Sequence, residues 1–331
     1  MEASARARAN IALVKYWGKA DERLKVPAVG SISITLDGLW SDTDVRFDTG
    51  LAADELSFDG HARPEQLARV SACLDLLRER AGVTARASVA SRNNFPTGAG
   101  LASSASGFAA LVGAAAAALG LELPERELSI FARRGSGSAA RSIFGGYVEM
   151  HAGRAPDGSD SYAEPLLAAE AWPLDVVIAI TARGEKEVGS GEGMSRSEQS
   201  SPYYQSWVAA QPADLARTRR AIGERDFDAL AGVAEHSCLK MHAAAMAAQP
   251  PLIYWNGATL ECMRTVRALR RAGVPVCFTI DAGPQLKAIC PPEARAGVRA
   301  ALEQVPGVLD VVATGLGPGL AVSAGRRGPP A

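Results

Sequence analysis

The stretch from Asn93 to Ser106, NNFPTGAGLASSAS, constrains this chain more than any other. It separates a strand-like run, 85–90, from an alanine-rich helical run, 103–119. Small residues let a backbone approach a ligand closely. The first turn of the following helix offers unpaired N–H groups and the positive end of its dipole, which suit a polyphosphate. Ser103, Ser104 and Ser106 add hydroxyls that can hydrogen-bond phosphate or reach a magnesium ion. A tight turn with a serine N-cap accounts for the same residues without a ligand. The segment has no lysine, and it matches neither the P-loop pattern nor the dinucleotide GxGxxG pattern.

The bulk numbers narrow the partners. At 331 residues, 47% of them hydrophobic, the chain can bury two moderate cores. A net charge of -1 argues against a basic stripe for nucleic acid or a polybasic membrane patch. A small anionic ligand needs only a few local cations. The cysteines, Cys73, Cys238, Cys262, Cys277 and Cys290, are odd in number and form no CxxC pair. They read as free thiols of a reducing cytoplasm rather than as a zinc site or a disulfide framework. The N-terminus has arginines but no apolar segment of signal-peptide type. The longest apolar stretch, 107–119, is too short to span a bilayer. A cytoplasmic protein is expected, with no nucleic-acid or membrane partner.

Hydrophobic periodicity outlines the elements. Runs 31–36, 42–47, 85–90, 173–181, 276–280 and 308–313 read as strands, and 65–81, 103–119, 124–134, 214–234 and 256–272 as helices. A second Gly/Ser cluster spans 135–138, and a polar loop spans 153–161. The pattern is α+β in two lobes, with a seam near residue 180.

Several blocks carry a family resemblance. PTGAGLASSAS resembles the phosphate loop of the GHMP kinase superfamily. ANIALVKYWGK (9–19), NNFPTGAGLASSASGFAAL (93–111), RRGSGSAARSIFGGYVE (133–149) and FTIDAGPQ (278–285) resemble the mevalonate 5-diphosphate decarboxylase family in order and spacing. KMHA (240–243) and VATG (312–315) also fit, so the resemblance runs from about residue 7 to 316. It implies the two-lobed GHMP kinase fold, with a nucleotide-binding lobe at 1–182, a ferredoxin-like lobe at 183–331 and a cleft between them. It also implies a homodimer that uses ATP and Mg2+. The implied reaction phosphorylates the 3-hydroxyl of mevalonate 5-diphosphate, then releases phosphate and carbon dioxide to leave isopentenyl diphosphate.

The resemblance assigns residues too. Asp281 would accept or align the proton of the hydroxyl, though on the residues alone an aspartate there can simply cap its turn. Arg141 would hold the C1 carboxylate in a planar fork. Lys19 would serve both the chemistry and the diphosphate, the latter together with Tyr16, Ser136, Gly137, Ser138 and Ser190. ATP would lie on Pro96, Gly98, Ala99, Gly100, Leu101, Ala102, Ser103, Ser104 and Ser106, with Ser104 closest to magnesium. Of the histidines, His242 falls in a family-like block, and His61, His151 and His236 carry no assigned role.

Two positions depart from the family pattern. Val29 stands where members often have asparagine, and Gly191 stands where some bacterial members have an arginine that contacts the diphosphate. Both bear on whether the substrate is the 5-diphosphate or the 5-monophosphate. A relative that only phosphorylates mevalonate lacks the aspartate present here as Asp281. A nucleotide-binding regulator without catalysis is the alternative of another class. Retention of Lys19, Ser104, Arg141 and Asp281 speaks against it.

Overall fold

Alternation of Ala3, Ala5, Ala7 and Ala9 with Ser4, Arg6 and Arg8 builds the first strand, β1 (Glu2–Val14), in the computed structural model. The structure describes residues 1–95, 103–184 and 186–324. A search for bulky apolar residues passes β1 over because its inward face begins as alanine. A short hairpin follows, β2 (Lys19–Asp21) and β3 (Val26–Pro27). The two strands expected at 31–36 and 42–47 are one strand, β4 (Ser31–Asp48). It stays continuous because β1 pairs along most of its length, in antiparallel register from Glu2↔Arg46 to Val14↔Ile32.

Next come β5 (Glu55–Phe58), β6 (His61–Ala62), helix α1 (Pro64–Ala81) and β7 (Arg86–Asn93). Helix α1 opens with proline in its first turn and ends at Gly82, whose φ of 66° is the left-handed cap that favours glycine. Its buried stripe is Val70, Cys73, Leu74 and Leu77. Helices α2 (Ser103–Ala118) and α3 (Glu125–Gly135) lead into a 3-10 turn over Gly137–Ile143, then β8 (Tyr147–Met150) and β9 (Ala163–Leu167). Together β14-β1-β4-β7-β5-β6 form the main path of the first sheet, with β8 and β9 added on the β8–β4 pairing; β14 is the last described strand, Ala321–Ala324.

The chain enters the second sheet at β10 (Asp175–Ile180) and then forms α4 (Ser190–Ser200), α5 (Tyr204–Glu224), α6 (Phe227–Met246) and α7 (Gly257–Arg271). The single helix expected at 214–234 is broken. Arg225 turns left-handed at φ 54°, and Asp226 caps α6 by accepting from the Ala229 N–H at 3.0 Å. Strands β11 (Cys277–Ile280) and β12 (Leu286–Cys290), helix α8 (Arg295–Glu303) and β13 (Asp310–Gly315) complete an antiparallel sheet of order β11-β12-β10-β13.

Burial explains the alanines. One face of the first sheet, with Ala3, Ala5, Ala7, Val45 and Phe47, packs on α1, α2 and α3. Helix α2 is buried on nearly every side, so small side chains are what let its neighbours close in. The sheet's other apolar side, including Ile11, Leu13, Ile32 and Ile34, meets Val176 and Ile178 of β10 with residues of α5 and α6. No described helix is long and apolar enough to cross a membrane.

Arg133 of α3 is fully buried. Its guanidinium donates to the carbonyls of Ser161 at 2.9 Å, Gly158 at 2.9 Å and Leu24. It thereby ties the polar loop 153–161 and the β2–β3 hairpin to α3. Burial lowers its pKa to about 10, which leaves it charged at neutral pH. We expect Arg133→Met to take a donor from each of these carbonyls, leaving Gly158 only the Ser161 N–H, and to cost about 3 kcal/mol, read as a lower urea midpoint. A loss below about 1 kcal/mol would show that the arginine does not hold the hairpin.

Candidate functional site

Between the 3-10 turn, the β2–β3 hairpin and the end of β11 lies a cavity of about 470 Å³. Its described walls include the cations Lys15, Lys19, Lys25, Arg69, Arg141 and Lys186, against the single carboxylate of Asp281. Such an excess of one sign in a concave site attracts a multiply charged anion.

Asp281 stands where β11 ends and the chain turns toward β12, with its side chain 26% exposed. Lys15 Nζ lies 2.6 Å from Asp281 Oδ1, and Lys287 Nζ lies 3.3 Å from Oδ2. Lys15 comes just past β1, and its backbone is clamped from two helices. Its N–H donates to Ser237 Oγ at 3.0 Å, and its carbonyl accepts from Gln211 Nε2 at 2.9 Å. Burial pushes the Asp281 carboxyl up, but Lys15 and then Lys287 outweigh that and hold it far below the usual carboxylate range. His242, buried behind, is lowered to about 3 by burial and the charge of Lys15, so its ring is neutral. Its Nε2 lies 3.3 Å from the Ile280 carbonyl, a support for the end of β11.

Arg141 is buried in the 3-10 turn. Asn10 Oδ1 accepts from its Nε at 3.1 Å and its Nη2 at 3.0 Å, and Ser31 Oγ accepts from Nη1 at 2.6 Å. Asn10 in turn donates to Ser142 Oγ at 2.8 Å and to the Ser138 carbonyl at 3.1 Å, which fixes its own orientation. Burial lowers Arg141 to about 10, so it remains a cation, with donors left for a ligand carboxylate.

The second small-residue cluster faces the same space. A Cβ on Gly137 would fall 2.2 Å from Tyr16 Oη, so any side chain there would have to displace the phenol. That phenol oxygen is buried with no hydrogen-bond partner among the described residues. A buried orphan hydroxyl in a cavity wall calls for a ligand oxygen. Ser136 and Ser138 line the cavity beside it. On the opposite wall, Lys186 Nζ donates to Ser190 Oγ at 2.7 Å and to the Ala282 carbonyl at 2.9 Å, and burial lowers its pKa to about 8.

Lys19 lines the cavity and ion-pairs with Glu22 at 2.6 Å, and the lysine on Asp281 is Lys15. Ser106 is fully buried with its Oγ 2.7 Å from Ser41 Oγ, so it braces α2 from inside instead of facing a ligand. Ser103 and Ser104 do reach the cavity. Pro96, Gly98, Ala99, Gly100, Leu101 and Ala102 lie outside the described residues. Val29 is buried in an apolar cluster with Trp17, Met194 and Met241, while Gly191 lines the cavity, where an added Cβ would stand 4.0 Å from Lys19 Nζ. The sequence reading missed Asn10, Lys15, Ser31, Lys186 and Lys287. Lys15 and Lys287 had a legible sign, each a lone cation within an apolar strand-like run.

A second cavity of about 390 Å³ adjoins the first through Ser103, Ser104, Arg69 and Lys186. Leu56, Phe58, Val70, Phe108 and Leu111 give it an apolar wall, and Thr43, Ser91 and Asn93 give it polar groups. That mixture fits a nucleoside, with its phosphates directed to the N-terminus of α2. Among the described residues no cluster of three or more His, Cys, Asp or Glu side chains forms a metal cage. A hard cation here would be held by phosphate oxygens and a serine hydroxyl.

Comparison with known proteins gives a consistent result. Residues 7–163 match the diphosphomevalonate decarboxylase-like N-terminal domain, and residues 176–307 match the mevalonate 5-diphosphate decarboxylase C-terminal domain. Diphosphomevalonate decarboxylase of Ganoderma lucidum is 37% identical over 88% of this chain and 79% of its own length. That of Homo sapiens is 36% identical over 84% and 74%. The structure of mevalonate diphosphate decarboxylase from Enterococcus faecalis superposes with a TM-score of 0.89 at 38% identity, covering 98% of this chain and 99% of that one. The enzyme from Staphylococcus aureus gives 0.92 at 36% identity, covering 97% and 98%. MDDEF in complex with MVAPP, AMPPCP and magnesium gives 0.90 at 39% identity, covering 98% and 99%. The fold is thus the α+β GHMP kinase type.

The unbalanced cations make a ligand-level test direct. Inorganic pyrophosphate at about ten times its Kd is expected to raise the melting temperature by about 2 °C at low salt. The shift should shrink in about 1 M KCl, where charges are screened within about 3 Å. No shift at low salt would remove the anion-site reading.

Proposed function

We propose that this chain, which belongs to the diphosphomevalonate decarboxylase family, uses ATP to decarboxylate mevalonate 5-diphosphate to isopentenyl diphosphate, releasing ADP, phosphate and carbon dioxide. The observation that carries the reading is the placement of Asp281 and Arg141 in one cation-lined cavity that opens onto a nucleoside-sized one.

The substrate is a five-carbon chain with a carboxylate at one end, a diphosphate at the other and a tertiary hydroxyl between. Arg141 receives the carboxylate, because Asn10 and Ser31 fix its plane and leave it donors. Tyr16, Ser136, Gly137, Ser138, Lys19 and Ser190 receive the diphosphate, whose oxygens satisfy the orphan Tyr16 hydroxyl. Asp281 then faces the 3-hydroxyl.

A carboxylate held this low is a weak base. Its work is therefore to accept the hydrogen bond of the hydroxyl and aim the oxygen at the γ-phosphorus, taking the proton only as the new P–O bond acidifies it. Lys15 and Lys287 keep it ionised and pointed. Ser103 and Ser104, at the N-terminus of α2, meet the nucleotide phosphates. Ser104 would help those phosphates hold magnesium, which would supply charge neutralisation on the transferred group. The 3-phosphate then leaves with the C3–O electrons. The C1–C2 electrons become the C2–C3 double bond as carbon dioxide departs. Arg141 holds the carboxylate in place for that cleavage, with Lys15 and Lys186 offsetting charge on the departing phosphate.

Finer features are part of the same proposal. The protein is read as a cytoplasmic homodimer, and its five cysteines are buried free thiols, the state of a reducing compartment. The lobes are taken as 1–182 and 183–331, each lending a strand to the other's sheet, β10 one way and β14 the other.

The decisive assay mixes the protein with ATP, magnesium and mevalonate 5-diphosphate, and follows carbon dioxide. Release is expected, and Asp281→Asn should lower it about a thousandfold with substrate still bound. No release by the unaltered protein would sink the reading; near-normal turnover by the variant would remove Asp281 from the chemistry. The pH profile adds a signed test. Because two ammonium groups depress the Asp281 carboxyl, the carboxylate persists well into acid. Lys287→Met removes one of them, so the pKa rises and the acid limb of kcat/KM moves to higher pH. A limb that stays in place would show that Lys287 does not act through Asp281.

A further inference from the structure

Three described non-glycine residues hold a left-handed backbone: Lys25, Asp59 and Arg225. Asp59 and Arg225 lie in turns away from the site, whereas Lys25 lines the cavity. It closes the β2–β3 hairpin at φ 53°, a position where glycine or asparagine would relieve the backbone. The lysine there reaches inward. Its Nζ donates to the Gly135 carbonyl at 2.6 Å, and Arg69 Nε donates to the same oxygen at 2.9 Å. Arg69 comes from α1 and stacks its guanidinium over Phe108 at 4.4 Å, which holds it at this edge of the cavity.

Two cations thus share one neutral carbonyl. Among the described residues neither is paired with a carboxylate. Burial first, and then the charge of Arg69, lower the Lys25 amine to about 8. Their carbonyl belongs to the residue directly before Ser136-Gly137-Ser138, and Arg141 follows three residues after that cluster. The segment 135–141 therefore runs from these two cations, past the small-residue turn, to the carboxylate grip.

We propose that Lys25 and Arg69 form the subsite for the distal phosphate of the substrate's 5-diphosphate, and that Lys25 sets the preference for a 5-diphosphate over a 5-monophosphate. The proposal rests on the decarboxylase reading for the identity of the ligand. The turn 136–138 and Tyr16 take the proximal phosphate, and the distal one, which a monophosphate lacks, lies against the two cations. Arg69 also lines the nucleoside cavity and can touch either ligand; Lys25 lines only the substrate cavity, which assigns it to the substrate. A purely structural role, capping the last carbonyl of α3, would change stability and not discrimination.

The test uses the whole protein with Lys25→Met and Lys25→Arg. Calorimetry gives the Kd of mevalonate 5-diphosphate and of mevalonate 5-phosphate for each, and steady-state rates give the KM of both and of ATP. We expect Lys25→Met to weaken the 5-diphosphate at least about tenfold, mostly in Kd and KM, and the 5-phosphate by less than about twofold. Lys25→Arg should keep the 5-diphosphate within about threefold, since it keeps the charge. Equal weakening of both ligands, no weakening, or a rise confined to the KM of ATP would overturn the assignment. If the unaltered protein binds the 5-diphosphate but releases no carbon dioxide, the decarboxylase reading falls, and the Kd pair still decides Lys25.

Discussion

The Asp281 carboxylate, set between Lys15 and Lys287, joins the two sheets of this protein at its site. Lys15 comes from the end of β1 in the first sheet; Asp281 and Lys287 come from the β11–β12 edge of the second. Both lysines are almost wholly buried, and ammonium groups in such surroundings are tolerated only beside an opposite charge. The sheets must therefore meet in one registration, which brings Arg141, anchored through Asn10 of β1, into the same cavity as Asp281. Helices α5 and α6 enforce this by gripping the Lys15 backbone from both its N–H and its carbonyl.

The arrangement separates two electrostatic tasks. Around Asp281 the charges are matched closely, so its carboxylate is fixed in orientation and ionisation. Around Tyr16, the 135–138 segment and the β2–β3 hairpin, positive charge is in excess, and a phosphorylated ligand supplies the balance. The hairpin is itself held by Arg133, whose buried guanidinium grips backbone from two separate loops. Charge at the site thus depends on a scaffold that uses charge to order its own loops.

Much of this was legible in the sequence, for identifiable reasons. Asp281, Arg141 and the 136–138 turn sit in blocks whose order and spacing are distinctive, and the structure gathers them. Helix α1 was legible from its apolar stripe. Strand β1 was not, because alanine on its inner face gives no hydrophobic contrast. The α5–α6 break was hidden because Arg225 and Asp226 look like ordinary surface helix residues until the left-handed turn and its cap are seen. Lys19 drew attention by its place in the KYWGK block, yet strand geometry delivers Lys15 to Asp281. Lys287 and Lys25 belong to no motif, and only packing shows which charges they meet.

The last described strand has a consequence of its own. Strand β14 returns across the whole chain to pair with β1, Ala3↔Ala324 to Arg6↔Ala321, and Leu320 beside it rests against Gly113 of α2. During synthesis the amino-terminal half emerges from the ribosome with that edge of its sheet open, and it stays open until residues near 324 have been made. Completion of the nucleotide side therefore waits on residues 321–324, which are made after the second sheet and its helices already exist to receive them.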